Sequence, residues 1–201
     1  YFPSMDKILS GSLITTWEVI PNVARTMNFA LTVRDNSVPE GGQTTRKNMT
    51  VTFNATAGPF KVTSQAAANT TWLPNQTQTI TWDVAGTTAS PINTANVKIL
   101  LSTDGGVNYD TVLLASTPND GSQAITVPAV SAPFCRIMVQ AVDNVYFAIN
   151  SSNIAIGQFT TNCVTYTSTG AVAIPDGAAP GVGGAVGSSI INIPTNKIIS
   201  D

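Results

Sequence analysis

The stretch Gln78-Thr79-Ile80-Thr81-Trp82-Asp83-Val84 alternates polar and apolar side chains with a period of two. This alternation is typical of a β-strand that has one face in a core, because successive side chains point to opposite sides of a sheet. We therefore expect Ile80, Trp82 and Val84 to point inward, with Trp82 as the central aromatic residue of the core.

Further apolar strands surround this one at short intervals. The residues predicted to meet its inward face are Val97, Ile99, Leu101, Ile137, Val139 and Ala141. Between residues 60 and 156 seven strands are predicted, at 60–64, 78–84, 97–102, 111–115, 123–127, 135–142 and 147–156, with Pro, Asn, Asp and Gly between them. Seven strands in about 100 residues predict an all-β fold, an immunoglobulin- or fibronectin III-like antiparallel β-sandwich.

The chain divides into three regions in this interpretation. Residues 1–57 contain an extended stretch at 13–20 and two alternating strands, too few to close a sandwich, so they are predicted to be the C-terminal strands of an N-terminally truncated immunoglobulin-like module. Residues 58–158 are the complete sandwich. Residues 159–201 begin as a Gly/Ala-rich linker and end in the start of another sandwich. We take the whole chain to be a fragment of a larger protein.

Composition argues against two classes of partner. Only 10% of the 201 residues are charged, the net charge is −2, and the cations form no cluster along the sequence. A nucleic-acid-binding surface is therefore not expected, because such surfaces concentrate Lys and Arg. The chain also has no apolar run of the roughly 18 residues that a membrane-spanning helix needs, so no membrane insertion is predicted.

The chain lacks the residues of most hydrolytic sites. It has no histidine, which removes Ser-His-Asp triads, Cys-His pairs and HExxH zinc helices. The only glutamates, Glu18 and Glu40, fall in the incomplete first region, so a glycosidase-like carboxylate pair is a poor hypothesis. We predict that this chain is not an enzyme, and assign no catalytic, cofactor-binding or metal-binding residue.

One turn resembles a known motif. Ser102-Thr103-Asp104-Gly105-Gly106-Val107-Asn108-Tyr109 is similar to the Asp-box hairpin of sialidase-type propellers, with Tyr109 in place of the usual Trp. The motif occurs once, which excludes a propeller. The favoured interpretation is a tight hairpin in which Asp104 accepts backbone N–H bonds and the glycines adopt positive φ.

Three further sets of residues leave alternatives open. Calcium is a candidate ligand for the loop with Asp35, Asn36 and Glu40, or for Asp143 and Asn144, although a solvated turn explains either loop better. Cys135 and Cys163 form either a disulfide or two buried thiols. The three tryptophans, Trp17, Trp72 and Trp82, are predicted to be core or interface residues.

Several phrases of the sequence resemble one protein family. They are FPSMD at 2–6, TWEV at 16–19, MNFALTVRDN at 27–36, AGPF at 57–60, ITWDVAGT at 80–87, residues 97–106, STPNDGS at 116–122 and CRIMV at 135–139. Together they resemble the region downstream of the catalytic domain in secreted bacterial reprolysin-like zinc metallopeptidases. The tail (CVTY at 163–166, AIPD at 173–176, INIP at 191–194) resembles the opening of a proprotein-convertase P domain.

This resemblance implies a secreted or cell-surface parent whose catalytic zinc lies in another domain. It implies a non-catalytic accessory or spacer region that has the catalytic domain of the same chain as a partner and holds extracellular protein or glycan substrate. The alternative is an adhesion or self-assembling structural protein, in which sandwiches with open edges exchange strands between chains.

Overall fold

The computed structural model of the chain describes residues 1–36 and 41–159. The regular structure of these residues is almost entirely β-strand, and their only helix is the short α1 (Met5–Leu9). The strands are β1 (Arg25–Arg34), β2 (Thr44–Phe53), β3 (Lys61–Val62), β4 (Thr70–Trp72), β5 (Thr77–Asp83), β6 (Asn96–Ser102), β7 (Thr111–Pro118), β8 (Ser122–Thr126), β9 (Ala132–Ala141), β10 (Phe147–Ile149) and β11 (Ile154–Ile156).

Strands β3 to β11 form a two-sheet sandwich, which confirms the predicted fold class. The smaller sheet has the order β3-β5-β8, and the larger has the order β4-β11-β9-β6-β7, with β10 also paired to β9. Strands β3, β5 and β8 correspond to A, B and E of an immunoglobulin-type sandwich, and β6, β7, β9 and β11 correspond to C, C′, F and G. All pairs are antiparallel except β4 with β11.

The core lies between the two sheets, where the sequence predicted it. Every residue predicted to point inward is buried, except Val84, which is half-buried and packs against the core. Trp82 is 4% exposed and belongs to the core cluster, as expected for its central aromatic. The period-two alternation identified these residues because alternate side chains of each strand enter the space between the two sheets.

Polar side chains close one end of the sandwich. The indole N–H of Trp82 donates to Oδ1 of Asn119 at 2.9 Å. Nδ2 of Asn119 donates to the hydroxyl of Thr87 at 2.9 Å and to the carbonyl of Thr94 at 3.1 Å. Asn119 is 4% exposed, so these bonds join the β5–β6 loop, the β7–β8 turn and the core in a dry environment.

The prediction of one continuous strand at 147–156 is wrong, because this stretch forms two short strands, β10 and β11. Asn150, 1% exposed, turns its side chain inward between them. Its Oδ1 accepts from the backbone N–H of Ile137 at 2.8 Å, and its Nδ2 donates to the carbonyls of Gln65 and Ser152 at 3.0 and 2.6 Å. The backbone N–H of Asn150 still donates to the carbonyl of Ile137 at 3.0 Å, so the side chain replaces only the return bond from Ile137 N–H. Strand β4, which pairs with β11, was not predicted.

The N-terminal region differs from the prediction in two places. The stretch at 13–20, expected to be extended, is a turn closed by a single bridge between Ile14 and Val19, and the helix α1 precedes it. Leu9 of α1 lies against Gly106, so closely that a Cβ at Gly106 would be 2.5 Å from its Cδ2. Tyr1 packs edge-on against Phe147, with ring centroids 5.4 Å apart.

Strands β1 and β2 pair only with each other among the described residues and form a two-stranded antiparallel ribbon, with ten paired positions from Arg25–Phe53 to Arg34–Thr44. Below, "the ribbon" means these two strands. The division of residues 1–57 and 58–158 into separate modules stays a prediction. The predicted linker and final sandwich start at 159–201 lie, apart from residue 159, outside the described residues.

Candidate functional site

The Asp104 turn has the geometry predicted for it. Oδ1 of Asp104 accepts from the backbone N–H groups of Val107 and Asn108, both at 3.0 Å, and from the hydroxyl of Ser102 at 2.6 Å. Gly105 and Gly106 have φ of 81° and 103°. These hydrogen bonds, led by the Asn108 N–H, lower the pKa of Asp104 to about 2. The carboxylate is committed to its own loop, so the turn is structural.

Two polar groups near this turn are also held inside the protein. The hydroxyl of Tyr109 is buried and has no hydrogen-bond partner within residues 1–36 and 41–159, and burial raises the pKa of the phenol. The guanidinium of Arg136 donates to Oδ1 of Asn153 at 2.8 Å and to the carbonyl of Asn150 at 2.7 Å, while desolvation lowers its pKa. Both Arg136 bonds are to neutral groups that anchor the β10–β11 connection.

Two of the calcium candidates use a side-chain oxygen for a backbone hydrogen bond of their own loop. Oδ1 of Asp35 accepts from the backbone N–H of Gln43 at 2.9 Å, and Oδ1 of Asn144 accepts from Val145 N–H at 2.8 Å. Within residues 1–36 and 41–159, no group of three or more His, Cys, Asp or Glu side chains is placed to hold a metal ion. Glu40 lies outside these residues, so neither its predicted loop role nor its pairing with Glu18 can be assigned a geometry.

Cys135 is a free thiol in the core, with no exposed surface. Its Sγ donates to the carbonyl of Ala132 at 3.6 Å, and burial raises its pKa to about 11. A neutral, buried thiol is a poor nucleophile. A free thiol at Cys135 agrees with the second of the two predicted alternatives, two buried thiols, and Cys163 itself lies outside the described residues.

The three tryptophans have two different environments. Trp72 and Trp82 are core residues, 2% and 4% exposed, as expected. Trp17 is 91% exposed, which rules out the core interpretation for this residue. Of the two predicted environments, core or interface, only a surface position is left for Trp17.

Trp17 stands on a well-defined turn. The backbone N–H of Thr15 donates to the carbonyl of Glu18 at 2.9 Å, and the N–H of Glu18 donates to the Thr15 hydroxyl at 2.9 Å. Oε2 of Glu18 accepts from the backbone N–H of Ser4 at 2.9 Å, which ties the turn to the residues before α1. Below, "the Trp17 turn" means residues 15–18.

The ribbon has one apolar face. Because directly opposed residues share a face, Met27, Phe29, Leu31 and Val33 lie together with Phe53, Val51, Met49, Lys47 and Thr45. Near the base this face is half-buried, and Phe2 packs edge-on against Phe29 with ring centroids 5.3 Å apart. Toward the tip, Leu31, Val33 and Met49 are 67%, 54% and 50% exposed. The outer half of the face is therefore open.

The outer edges of the ribbon are free of pairing with any described strand. The backbone N–H of Asp35 donates to the carbonyl of Gln43 at 3.3 Å just beyond the last strand pair. Hydrogen-bonded pairs recur at every second position of an antiparallel pair. The odd-numbered residues therefore direct their backbone N–H and C=O groups toward the partner strand, and the even-numbered residues direct theirs outward. Each edge thus offers a row of backbone donors and acceptors about 30 Å long.

The ribbon is also the most cationic element. Four of the nine Lys and Arg residues of the chain lie in its two strands, which contain no carboxylate. Arg25 and Lys47 are on the apolar face, and Arg34 and Arg46 on the opposite face. All four are exposed. Apolar surface, open edges and positive charge therefore coincide on one element.

Sequence reasoning found the ribbon strands but not their exposure. The alternation at 27–33 and 49–53 predicts one apolar face, but says nothing of what covers it. The inward-facing Asn119 and Asn150 had no local signal at all, because asparagine in a turn-rich sequence is usually a turn residue.

No helix in the described part of the chain is long and apolar enough to cross a membrane. In comparisons with known proteins, no protein-family model matches the chain, and no curated protein matches it.

Proposed function

We propose that this chain is a non-catalytic accessory region of a secreted zinc metallopeptidase, and that the ribbon holds an extended polypeptide by adding it as a third strand. The observation that carries the binding role is the coincidence of an open apolar face and free strand edges on the ribbon. The assignment to a peptidase is supported by the resemblance of the sequence phrases to the region downstream of its catalytic domain.

Strand addition suits the geometry of the ribbon. A two-stranded ribbon is marginally stable by itself, so a third strand adds hydrogen bonds and covers apolar surface at the same time. The four cations favour a segment that carries Asp or Glu. The preferred partner is therefore an unfolded acidic polypeptide, either a substrate or another segment of the parent protein.

Binding is tested with a reduced, carboxymethylated polypeptide as an unfolded acidic probe. Ala30 lies midway along β1, and its N–H is directed outward, so Ala30→Pro blocks this edge without removing a ladder hydrogen bond. We expect Ala30→Pro to weaken binding of the probe to the β1 edge about tenfold or more, measured by fluorescence anisotropy. The matched control Ala30→Thr keeps the N–H and leaves binding unchanged.

A second variant does not disturb the backbone. Arg46→Gln with Lys47→Gln removes two cations from β2 and should reduce both the affinity and its dependence on salt. Absence of probe binding by the unmodified chain, or equal binding by all variants, contradicts strand addition on the ribbon.

The unmodified chain and Ala30→Pro also test the alternative function, self-assembly. If ribbon edges pair between copies, sedimentation shows dimers or larger species at high micromolar concentration, and Ala30→Pro abolishes them. The non-catalytic assignment is tested separately: cleavage of the probe by the purified chain, persisting after addition of a chelator, overturns it.

A further inference from the structure

The Trp17 turn carries a second surface, separate from the ribbon strands. Its indole is 91% exposed, although the other two tryptophans of the chain are almost fully buried. The turn that presents it is fixed by backbone and side-chain hydrogen bonds, including the bond from Ser4 N–H to Glu18. An ordered backbone reduces the entropy lost on binding, so the indole is prepared for a ligand.

Most of the side chains that share a cleft with this indole are polar. The cleft is open, has a volume of about 570 Å³, and is lined by Lys7, Ser12, Ile14, Thr15, Thr16, Trp17 and Glu18. The hydroxyl of Thr16 is exposed and has no hydrogen-bond partner among the described residues, and Glu18 uses one carboxylate oxygen for Ser4. A hydroxyl, a carboxylate oxygen and an ammonium group thus line the same cleft as the indole.

The charge of the cleft is balanced. Lys7 and Glu18 have opposite charges, and the ammonium of Lys7 lies 3.6 Å from Oδ2 of Asp6. An anionic ligand, such as a sulfated or uronic polysaccharide, gains nothing from such a site. The polar lining also differs from a protein-binding hot spot, in which an aromatic anchor sits within an apolar, water-excluding surround.

We propose that the Trp17 turn binds a neutral carbohydrate, with one sugar ring stacked on the indole of Trp17 and its hydroxyls hydrogen-bonded by Lys7, Thr16 and Glu18. The C–H groups on one side of a pyranose ring are slightly positive, and the face of an indole ring is negative, so the two attract. The ring hydroxyls point outward around the edge, where donors and acceptors are needed. This inference does not depend on the proposed role of the ribbon.

The distribution of tryptophans provides a direct assay. Because Trp72 and Trp82 are buried, acrylamide quenching of the protein's fluorescence reports mainly on Trp17. The probes are cellohexaose, mannohexaose and chitohexaose, with a heparin hexasaccharide as the anionic control. We expect at least one neutral hexasaccharide to protect Trp17 saturably, lowering the quenching constant about twofold or more, as expected when one ring face is covered.

Variants test the roles of the side chains. Trp17→Ala should abolish binding of the active hexasaccharide, measured by calorimetry, and Trp17→Phe should weaken it about threefold to tenfold because a smaller aromatic face remains. Val107→Ala, which alters an apolar residue that is 61% exposed at the Asp104 turn, is the matched control and should leave binding unchanged.

Three results overturn the proposal: no protection by any neutral hexasaccharide, equal protection by heparin, or unchanged binding by Trp17→Ala. If Trp17 instead becomes protected from acrylamide as the protein concentration rises without sugar, the indole contacts another protein molecule. That result also overturns the proposal. If the unmodified chain binds the sugar but does not bind the polypeptide probe, only the ribbon proposal is contradicted.

Discussion

At the scale of single residues, the sandwich depends on asparagines placed inside it. Asn119 bonds to the indole of Trp82 across 37 positions of sequence and also satisfies the carbonyl of Thr94. Both groups are shielded from water, and a buried polar group that loses its partner destabilises the protein more than an ordinary hydrogen bond stabilises it. The alternation around Trp82 predicts its burial, but its indole partner lies too far along the chain for any local pattern to identify.

We therefore expect Asn119→Ala to lower the free energy of unfolding by about 2–4 kcal/mol, since it leaves the Trp82 N–H and the Thr94 carbonyl unpaired. Urea denaturation followed by circular dichroism measures the change. Asn28→Ala is the matched control, because it removes an exposed bond from Thr50 and should change stability by no more than about 0.5 kcal/mol. Equal losses for the two variants would show that the buried network is not stabilising.

At the scale of elements, the helix α1 is attached to the sandwich through the Asp104 turn. The contact is close at position 106, because a Cβ there would lie 2.5 Å from Leu9 Cδ2 and 3.1 Å from the Tyr109 hydroxyl, so a side chain at this position requires Leu9 to shift. The Asp104 motif predicts glycines for the turn itself. It does not predict that one of them also accommodates a helix from the other end of the chain.

Glycine substitutions separate these two requirements. Gly105 has φ of 81°, and a Cβ built on it would meet nothing within 4 Å. The only cost of Gly105→Ala is therefore the strain of an alanine in that conformation, which should lower the free energy of unfolding by about 1–2 kcal/mol. Gly106→Ala should lower the free energy of unfolding by about 1 kcal/mol more than Gly105→Ala, because its methyl group also overlaps Leu9. Thermal unfolding measures both changes.

A double-mutant cycle gives the matched comparison. In a Leu9→Ala background the overlap with Cδ2 is absent, so Gly106→Ala should be less destabilising than in the unmodified chain. No coupling between positions 9 and 106 would contradict the proposed contact.

At the scale of the whole molecule, the described residues combine a well-packed sandwich with a poorly covered ribbon. Strands β6 and β9 contribute half of the buried core cluster, whereas neither strand of the ribbon contains a fully buried residue. Local opening requires little free energy where few apolar contacts are lost. The element proposed to bind a partner is thus also the least stabilised by the rest of the fold.

Hydrogen exchange should reveal this difference directly. We expect the paired amides of β1 and β2 to exchange at least about 100-fold faster than those of β6 and β9, which corresponds to a difference of about 3 kcal/mol in opening free energy. Exchange measured by NMR or mass spectrometry at neutral pH tests this. Amides of the exposed residues 66–68, which lie outside the strands, provide the unprotected reference. Equal protection in the ribbon and the sandwich would mean that the ribbon is stabilised by contacts other than those described.

The sequence by itself determined the fold class, the inward residues of the central strands and the form of the Asp104 turn. These follow from local rules: side chains alternate along a strand, and a carboxylate followed by two glycines closes a turn. The tertiary structure alone decided the pairing of β4 with β11, the inward turn of Asn150, the docking of α1 and the exposure of Trp17. The physical reason is that each of these features depends on which distant segment covers a given side chain or backbone group. Neither the alternation of polar and apolar residues nor the composition specifies that segment.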